Sequence, residues 1–452
     1  MKRFTFLLIW LATLLAGGRA LAQSPLLDQY VAEGLRSNLA LQRQHFEIQK
    51  SLAALEEARG LYYPQVSFLA NYTLAKGGRN IAIPVGDLLN PVYSTLNQLT
   101  DSQQFPQISN VNEQFLPNNF HETKFRVIQP LFNSDIYFGY KARQEQVSVE
   151  EAKKATYEQE LAQNIRIAYF QYLQTLQVLE IYEETEGLLQ ELLRVNQKLV
   201  KNQKATAEVI YGAEYELEKL HRDQAEALKN RQSSQAFFNF LLNRDLNAEI
   251  EVDTSLRARG PAPAALRTLE DQALQDRAEL NQIKTAVSAN QALLRLNENH
   301  RLPTLNVVGD VGFQGFGYTF DREQDFWLLQ FALQWDLFKG RQNRRKIQQN
   351  QIQIEQLNTQ YAEVQNQIRL QVHQAYFARM AAQESLRATE AGLKSAAQNF
   401  FLTRRKYEEG LALYVELVEA RTSYTQARLE QTLAQYALLM REAELARALG
   451  AK

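Results

Sequence analysis

The sequence Pro303-Thr-Leu-Asn-Val-Val-Gly-Asp-Val-Gly-Phe313, a turn-rich tip, and then Phe326-Trp-Leu-Leu-Gln-Phe-Ala-Leu-Gln-Trp-Asp-Leu337 decides the fold of this chain. Each arm alternates with period two, as a strand with two unlike faces must. In the second arm Trp327, Leu329, Phe331, Leu333, Trp335 and Leu337 share one face. Leu328, Gln330, Ala332, Gln334 and Asp336 share the other. In the first arm Leu305, Val307, Val311 and Phe313 oppose Asn306, Asp310 and Gln314. Long helix-periodic sequence lies on both sides of this hairpin, so a soluble sheet for it to join is not evident.

An earlier stretch repeats the pattern. Val66, Phe68, Ala70 and Tyr72 alternate with Gln65, Ser67, Asn71 and Thr73, predicting a strand over about 62–74. A second strand is expected over 120–132, with Phe125, Val127 and Leu131 opposite Glu122, Lys124 and Arg126. The paired strands of the later hairpin are expected over 303–318 and 324–337. Pro64 matches Pro303 at an offset of 239, which also brings Leu35 onto Leu274 and Leu41 onto Leu280. Leu131-Phe132 matches Leu337-Phe338 at 206, Ala168-Tyr-Phe170 matches Ala375-Tyr-Phe377 at 207, and Glu208-Val209 matches Glu416-Leu417 at 208. The 33 residues lost between 239 and 206 fall between the first pair of strands. There, residues 75–119 are rich in Gly, Pro, Asn and Gln and show no period, the mark of a long loop. The chain thus reads as a duplicated helix–β-hairpin–helix unit: 23–247, a Gly/Pro-bearing linker at 248–265, and 266–449.

Helices flank each hairpin. They are expected over 137–200 and 206–247 in the first copy and over 342–405 and 412–449 in the second. Leu161, Ile165, Ala168, Tyr172, Leu176 and Leu179 step by threes and fours. About 60 residues at 1.5 Å each make a rod of roughly 90 Å. Between Gln342 and Gln360 neutral amides dominate between the apolar positions, which suits a rod packed sideways on its neighbours and facing water.

Composition removes other readings. Lys+Arg 50 against Asp+Glu 51 gives no bulk attraction to nucleic acid. The absence of cysteine excludes disulfides, thiolate metal sites and a cysteine nucleophile. The five histidines lack metal-ligand spacing, no cofactor motif is present, and Gly312-Phe-Gln-Gly-Phe-Gly317 reads as a hairpin tip, not a phosphate loop. No enzyme is expected. Residues 1–22 have the form of a secretory signal, with Lys2-Arg3, an apolar run from Phe4 to Ala16 and Ala20-Leu21-Ala22 before a cleavage at Gln23. Beyond it no run of 18 apolar residues is long enough for a spanning helix.

Four strands with an aromatic apolar face cannot close alone, because the smallest membrane barrels need about eight. An open edge in a bilayer would leave backbone groups unsatisfied. Several chains donating four strands each resolve both demands. Tyr62, Tyr63, Tyr137, Phe138, Tyr140, Trp327, Trp335 and Phe338 near the strand ends fit interfacial girdles. The polar-face Glu122, Lys124, Arg126 and Asp310 would then line the barrel lumen, and their mixed sign suits a wide, weakly selective conduit.

The duplication, Gln374-Ala-Tyr-Phe377 and the string Tyr407-Glu-Glu-Gly-Leu-Ala-Leu-Tyr-Val-Glu-Leu-Val-Glu-Ala-Arg421 resemble the TolC-like outer-membrane efflux proteins over nearly the whole mature chain. The resemblance implies an α+β membrane protein. In this implied form, three chains share a 12-stranded barrel in the Gram-negative outer membrane, continued by a long α-helical barrel across the periplasm. It implies a homotrimer that serves as the exit duct of a tripartite efflux or type I export system. The partners the resemblance implies are an inner-membrane transporter and a periplasmic adaptor. It further implies that Glu416 and Glu419, three apart on one face of the last helix, ring the periplasmic mouth as an acidic constriction. Tyr407 matches a tyrosine that helps hold the mouth closed. The basic residue that shares that role is replaced by Ala412, leaving Arg404 or Arg405 as substitutes. In the first copy only Glu208 is acidic, and Tyr211 stands where the second acid would be. A periplasmic coiled-coil scaffold or adaptor without a pore is the alternative reading.

Overall fold

The computed structural model describes residues 25–253, 256 and 264–451. The expected signal at 1–22 and most of the second half of the expected linker lie outside them. The elements are α1 (Pro25–Ser37), α2 (Leu39–Gly60), β1 (Gln65–Thr73), β2 (Asn80–Ile83), α3 (Val85–Leu99), β3 (Val111–Gln114), β4 (Phe120–Phe132), α4 (Ser134–Lys201), α5 (Glu208–Leu241), α6 (Leu266–Asp276), α7 (Ala278–Asn299), β5 (Thr304–Phe316), β6 (Asp325–Gln334), α8 (Gln342–Glu408) and α9 (Tyr414–Ala448). α4 has 68 residues and α8 has 67. The described residues divide into two compact units, one drawn from 25–52, 145–253, 256, 264–290 and 352–451, the other from 53–144 and 291–351.

The first unit is helical, and its core follows the threes-and-fours spacing read from α4. Leu161, Ile165, Ala168 and Tyr172 are buried with Leu27, Tyr30, Phe238 and Leu439. The Tyr30 and Phe238 rings meet edge to face at 5.1 Å, an attractive aromatic geometry. The α1–α2 break comes from Asn38. Its Oδ1 accepts the N–H groups of Ala40 and Leu41 at 3.0 and 3.1 Å, an N-cap, while its Nδ2 donates to the Leu241 carbonyl. At the same offset of 239 the second copy has buried Arg277 between α6 and α7. Arg277 donates to both Glu279 carboxylate oxygens at 2.9 Å, and Arg447 reaches the same carboxylate at 2.6 Å. Burial acts to raise the Glu279 pKa, but the two guanidinium groups outweigh it and hold the group down at about 2. The described part of the 248–265 segment is tied down: Ile250 is buried, and the Tyr169 hydroxyl donates to the Glu251 carbonyl and accepts the Asp253 N–H.

The second unit carries a four-stranded antiparallel sheet in the order β1-β4-β5-β6. β4 joins the two hairpins by pairing with β5, so β1 and β6 are the outer strands. Register places Phe68 beside Phe125, Phe125 beside Val311, and Val311 beside Trp327. That row is wholly exposed, with Trp327 at 79% and Phe68 at 59% of full accessibility. β5 approaches β4 closely at Gly312, where a Cβ would lie 2.1 Å from the Thr123 carbonyl oxygen. Gly312 therefore belongs to the strand, not to a tip as its motif suggested; β5 runs on to Phe316 before the turn.

The expectation of an aperiodic loop at 75–119 is corrected. β2 and β3 pair as a small antiparallel sheet, and α3 runs between them. The helix is held by asparagines that hydrogen-bond the strap following it. Asn90 exchanges two hydrogen bonds of 2.8 Å with Ile108, and Asn97 exchanges two with Phe105. The helix does carry an apolar row, Val85, Leu88, Leu89, Val92, Leu96 and Leu99, spaced by threes and fours, with Leu88, Leu89, Val92 and Leu99 exposed; reading the segment as aperiodic missed it.

Candidate functional site

In the helical unit the α8–α9 turn places the residues singled out by sequence. Gly410 takes φ +76°, a left-handed conformation that ends α8 at low steric cost. The Leu411 N–H donates back to the Lys406 carbonyl at 2.7 Å and the Gly410 N–H to the Tyr407 carbonyl at 3.0 Å. Glu416 and Glu419 follow on the first two turns of α9, both exposed. Glu416 also caps its own helix, because its Oε2 accepts the Leu413 N–H at 2.8 Å.

Tyr407 is buried, and its hydroxyl donates to Asn196 Oδ1 at 2.7 Å. Asn196, on α4 and wholly buried, donates its Nδ2 to the Val209 carbonyl at 2.9 Å. One hydroxyl and one amide thus connect α8, α4 and the first turn of α5. Arg404 does not take the place of the missing basic residue within the chain. Its Nε is spent on Glu408 one turn on, at 3.0 Å. The connection from α9 to α5 comes instead from Arg421, whose Nη2 lies 2.5 Å from Glu216 Oε2, with both side chains more than four-fifths buried. Neither Asn196 nor Glu216 was found from sequence. Both act across about 200 residues with no motif, and only the buried position of Tyr407 and Arg421 on their helices could have signalled a partner. Nearby Tyr414 is pushed up to about 12, first by burial and then by the Glu216 charge and the Tyr407 ring, and its hydroxyl has no hydrogen-bond partner.

In the sheet unit the four expected lumen residues come together as one cluster. Lys124 Nζ contacts Glu122 at 2.5 Å and Asp310 at 3.0 Å. Arg126 makes two parallel bonds to Asp310, 2.8 Å from Nε and 2.7 Å from Nη2. The Asp310 side chain is fully buried beneath its partners. This face therefore presents a neutralised patch, not separate charges, opposite the exposed aromatic row.

The fold, a four-stranded sheet with an exposed apolar face and an ion-paired face carried on long helices, is shared with solved outer-membrane channels. The structure is similar to the outer-membrane channel OprN (TM-score 0.75, 15% identity, 95% of this chain and 91% of that one). It is also similar to the outer membrane protein VceC of Vibrio cholerae (0.72, 15%, 94% and 96%). The MtrE outer membrane channel of Neisseria gonorrhoeae, solved in its open state, matches likewise (0.73, 15%, 94% and 89%). In sequence, residues 269–451 match the family model described as outer membrane efflux protein. No curated protein matches the chain. The resemblance read from residues 374–377 and 407–421 is thereby borne out, and the outer membrane is the place its relatives share.

Proposed function

We propose that this chain is the outer-membrane exit duct of a tripartite efflux or type I export system, passively conducting what an inner-membrane transporter and a periplasmic adaptor deliver. The observation that carries the reading is the sheet: its aromatic face is exposed, its other face is polar and ion-paired, and both outer strands offer free edges. In a bilayer free edges must be closed. Joining β6 of one copy to β1 of the next closes a ring in which every interface is the same. Three copies, the number the resemblance implies, give 12 strands. Asn38 and Arg277, buried at equivalent breaks, support the duplication. In this reading Glu122, Lys124, Arg126 and Asp310 line the lumen, Tyr407 is a gate contact, and Glu416 and Glu419 form the acidic constriction at the periplasmic end. A pore-free scaffold has no use for the exposed row Phe68, Phe125, Val311 and Trp327.

The test is assembly with conduction. Purified in detergent, the protein should be trimeric by light scattering and should form ohmic channels in planar bilayers. A chain that stays monodisperse in detergent-free buffer and conducts nothing would overturn the duct.

A further inference from the structure

Six side chains outside the mouth and the lumen make a pocket in the sheet unit. Arg59, Tyr62, Tyr63, Tyr137, Tyr140 and Lys141 line about 400 Å³. Two segments deliver them. The end of α2 turns sharply, the Tyr62 N–H donating to the Arg59 carbonyl and the Tyr63 N–H to the Gly60 carbonyl, each at 3.1 Å. Gln129 of β4 fixes that turn by donating to the Tyr62 carbonyl at 3.0 Å. On α4, Tyr137, Tyr140 and Lys141 fall three and four apart and share a face. The Tyr62 and Tyr140 rings meet edge to face at 6.3 Å across the two segments.

The pocket is rich in donors and short of acceptors. No carboxylate lines it. Arg59 meets Glu56 only at 3.6 Å, between side chains both more than half exposed, and Lys141 reaches only the neutral Gln144 at 3.4 Å. Four phenol O–H groups stand around these two cations. A ligand that only accepts hydrogen bonds and carries negative charge fits such a set. The position adds the rest. The pocket adjoins the first residues of β1, where the exposed apolar face begins with Val66 and Phe68, and Leu131 and Phe132 at the end of β4 are exposed beside it in sequence order. Tyrosines at that level belong to the depth of lipid headgroups.

We propose that the pocket binds the phosphate diester of an anionic membrane phospholipid, with the acyl chains running along the exposed apolar face of the sheet. The inference rests on the barrel reading above and deepens it. Two cations without a carboxylate repel a headgroup ammonium, so a phosphatidylglycerol is preferred over a zwitterionic lipid. A free phosphate shares the chemistry but lacks the acyl chains that the apolar face would hold.

The experiment titrates the detergent-purified assembly by calorimetry with dihexanoyl phosphatidylglycerol, dihexanoyl phosphatidylcholine and inorganic phosphate. The glycerol lipid should bind at one site per chain and the other two at least tenfold more weakly. Arg59→Gln with Lys141→Gln should weaken the glycerol lipid at least tenfold, and Tyr137→Phe with Tyr140→Phe by a smaller factor. Equal affinity for inorganic phosphate would make this a soluble-anion site, and equal affinity for the choline lipid would remove the charge argument. Unchanged binding by the Arg59/Lys141 variant would overturn the site altogether. Light scattering on the same samples reports the assembly: an absent trimer refutes the barrel, while an intact trimer without lipid binding refutes only the pocket.

Discussion

Tyr407 and Tyr414 face each other across the α8–α9 turn, with ring centroids at 6.3 Å, yet burial asks different things of them. The Tyr407 hydroxyl satisfies Asn196, a side chain with no access to solvent; the Tyr414 hydroxyl satisfies nothing. A buried acceptor stripped of its donor loses about 1–3 kcal/mol, whereas a desolvated hydroxyl without a partner contributes no stability. Tyr407→Phe should therefore lower the apparent melting midpoint, and Tyr414→Phe should leave it unchanged or raise it. Circular dichroism at one scan rate compares the two. Equal losses would mean that ring packing, not the hydrogen bond to Asn196, holds the turn. The sequence singled out Tyr407 because a tyrosine there is part of a resemblance, but it could not say what the hydroxyl meets. Asn196 is 211 positions away, in a helix with many other amides.

At the scale of elements, legibility followed period everywhere but in α3. The strands were readable because Trp327, Leu329, Phe331 and Leu333 repeat every second residue, and all four are exposed on one face of β6. The long helices were readable because Leu161, Ile165, Ala168 and Tyr172 step around one buried stripe. α3 was missed although Val85, Leu88, Leu89, Val92, Leu96 and Leu99 step by threes and fours, because Pro91 inside it and Asn90 and Asn97, which hydrogen-bond the strap after it, read as loop residues. The same asparagines show that the β2–α3–β3 module makes its own hydrogen bonds. Asp87 and Asn110 close its base, with the Asp87 N–H donating to Asn110 Oδ1 and Asn110 Nδ2 donating to the Asp87 carboxylate. The four-stranded sheet pairs β1 directly with β4, from Gln65 with Ile128 to Thr73 with Phe120. A deletion of residues 80–114, replaced by a short Gly/Ser turn, should leave that pairing and the trimer intact by light scattering. Loss of the trimer would assign the module to contacts between copies.

At the scale of the whole molecule, the role proposed for the acidic residues depends on assembly. In one chain Glu416 closes its own helix and Glu419 is an exposed carboxylate, which is the ordinary state of a surface acid. Three copies around an axis would bring six carboxylates to one opening, and a ring of like charge in a confined passage concentrates cations and holds polyvalent ones. The variant that tests this must keep the cap, because removing the side chain of Glu416 would also free the Leu413 N–H. Glutamine retains an acceptor at the same length, so Glu416→Gln with Glu419→Gln removes charge and little else. Single-channel current through the trimer should then be blocked by magnesium or hexamminecobalt roughly tenfold less readily, a factor that corresponds to about 1.4 kcal/mol. The double variant should also lose part of its preference for potassium over chloride: the cluster around Asp310, proposed to line the lumen, is already neutralised by Lys124 and Arg126 and would leave the proposed mouth to set the sign. If block and selectivity both stay as they were, the constriction lies elsewhere and the two glutamates are a solvated pair on the first turns of α9.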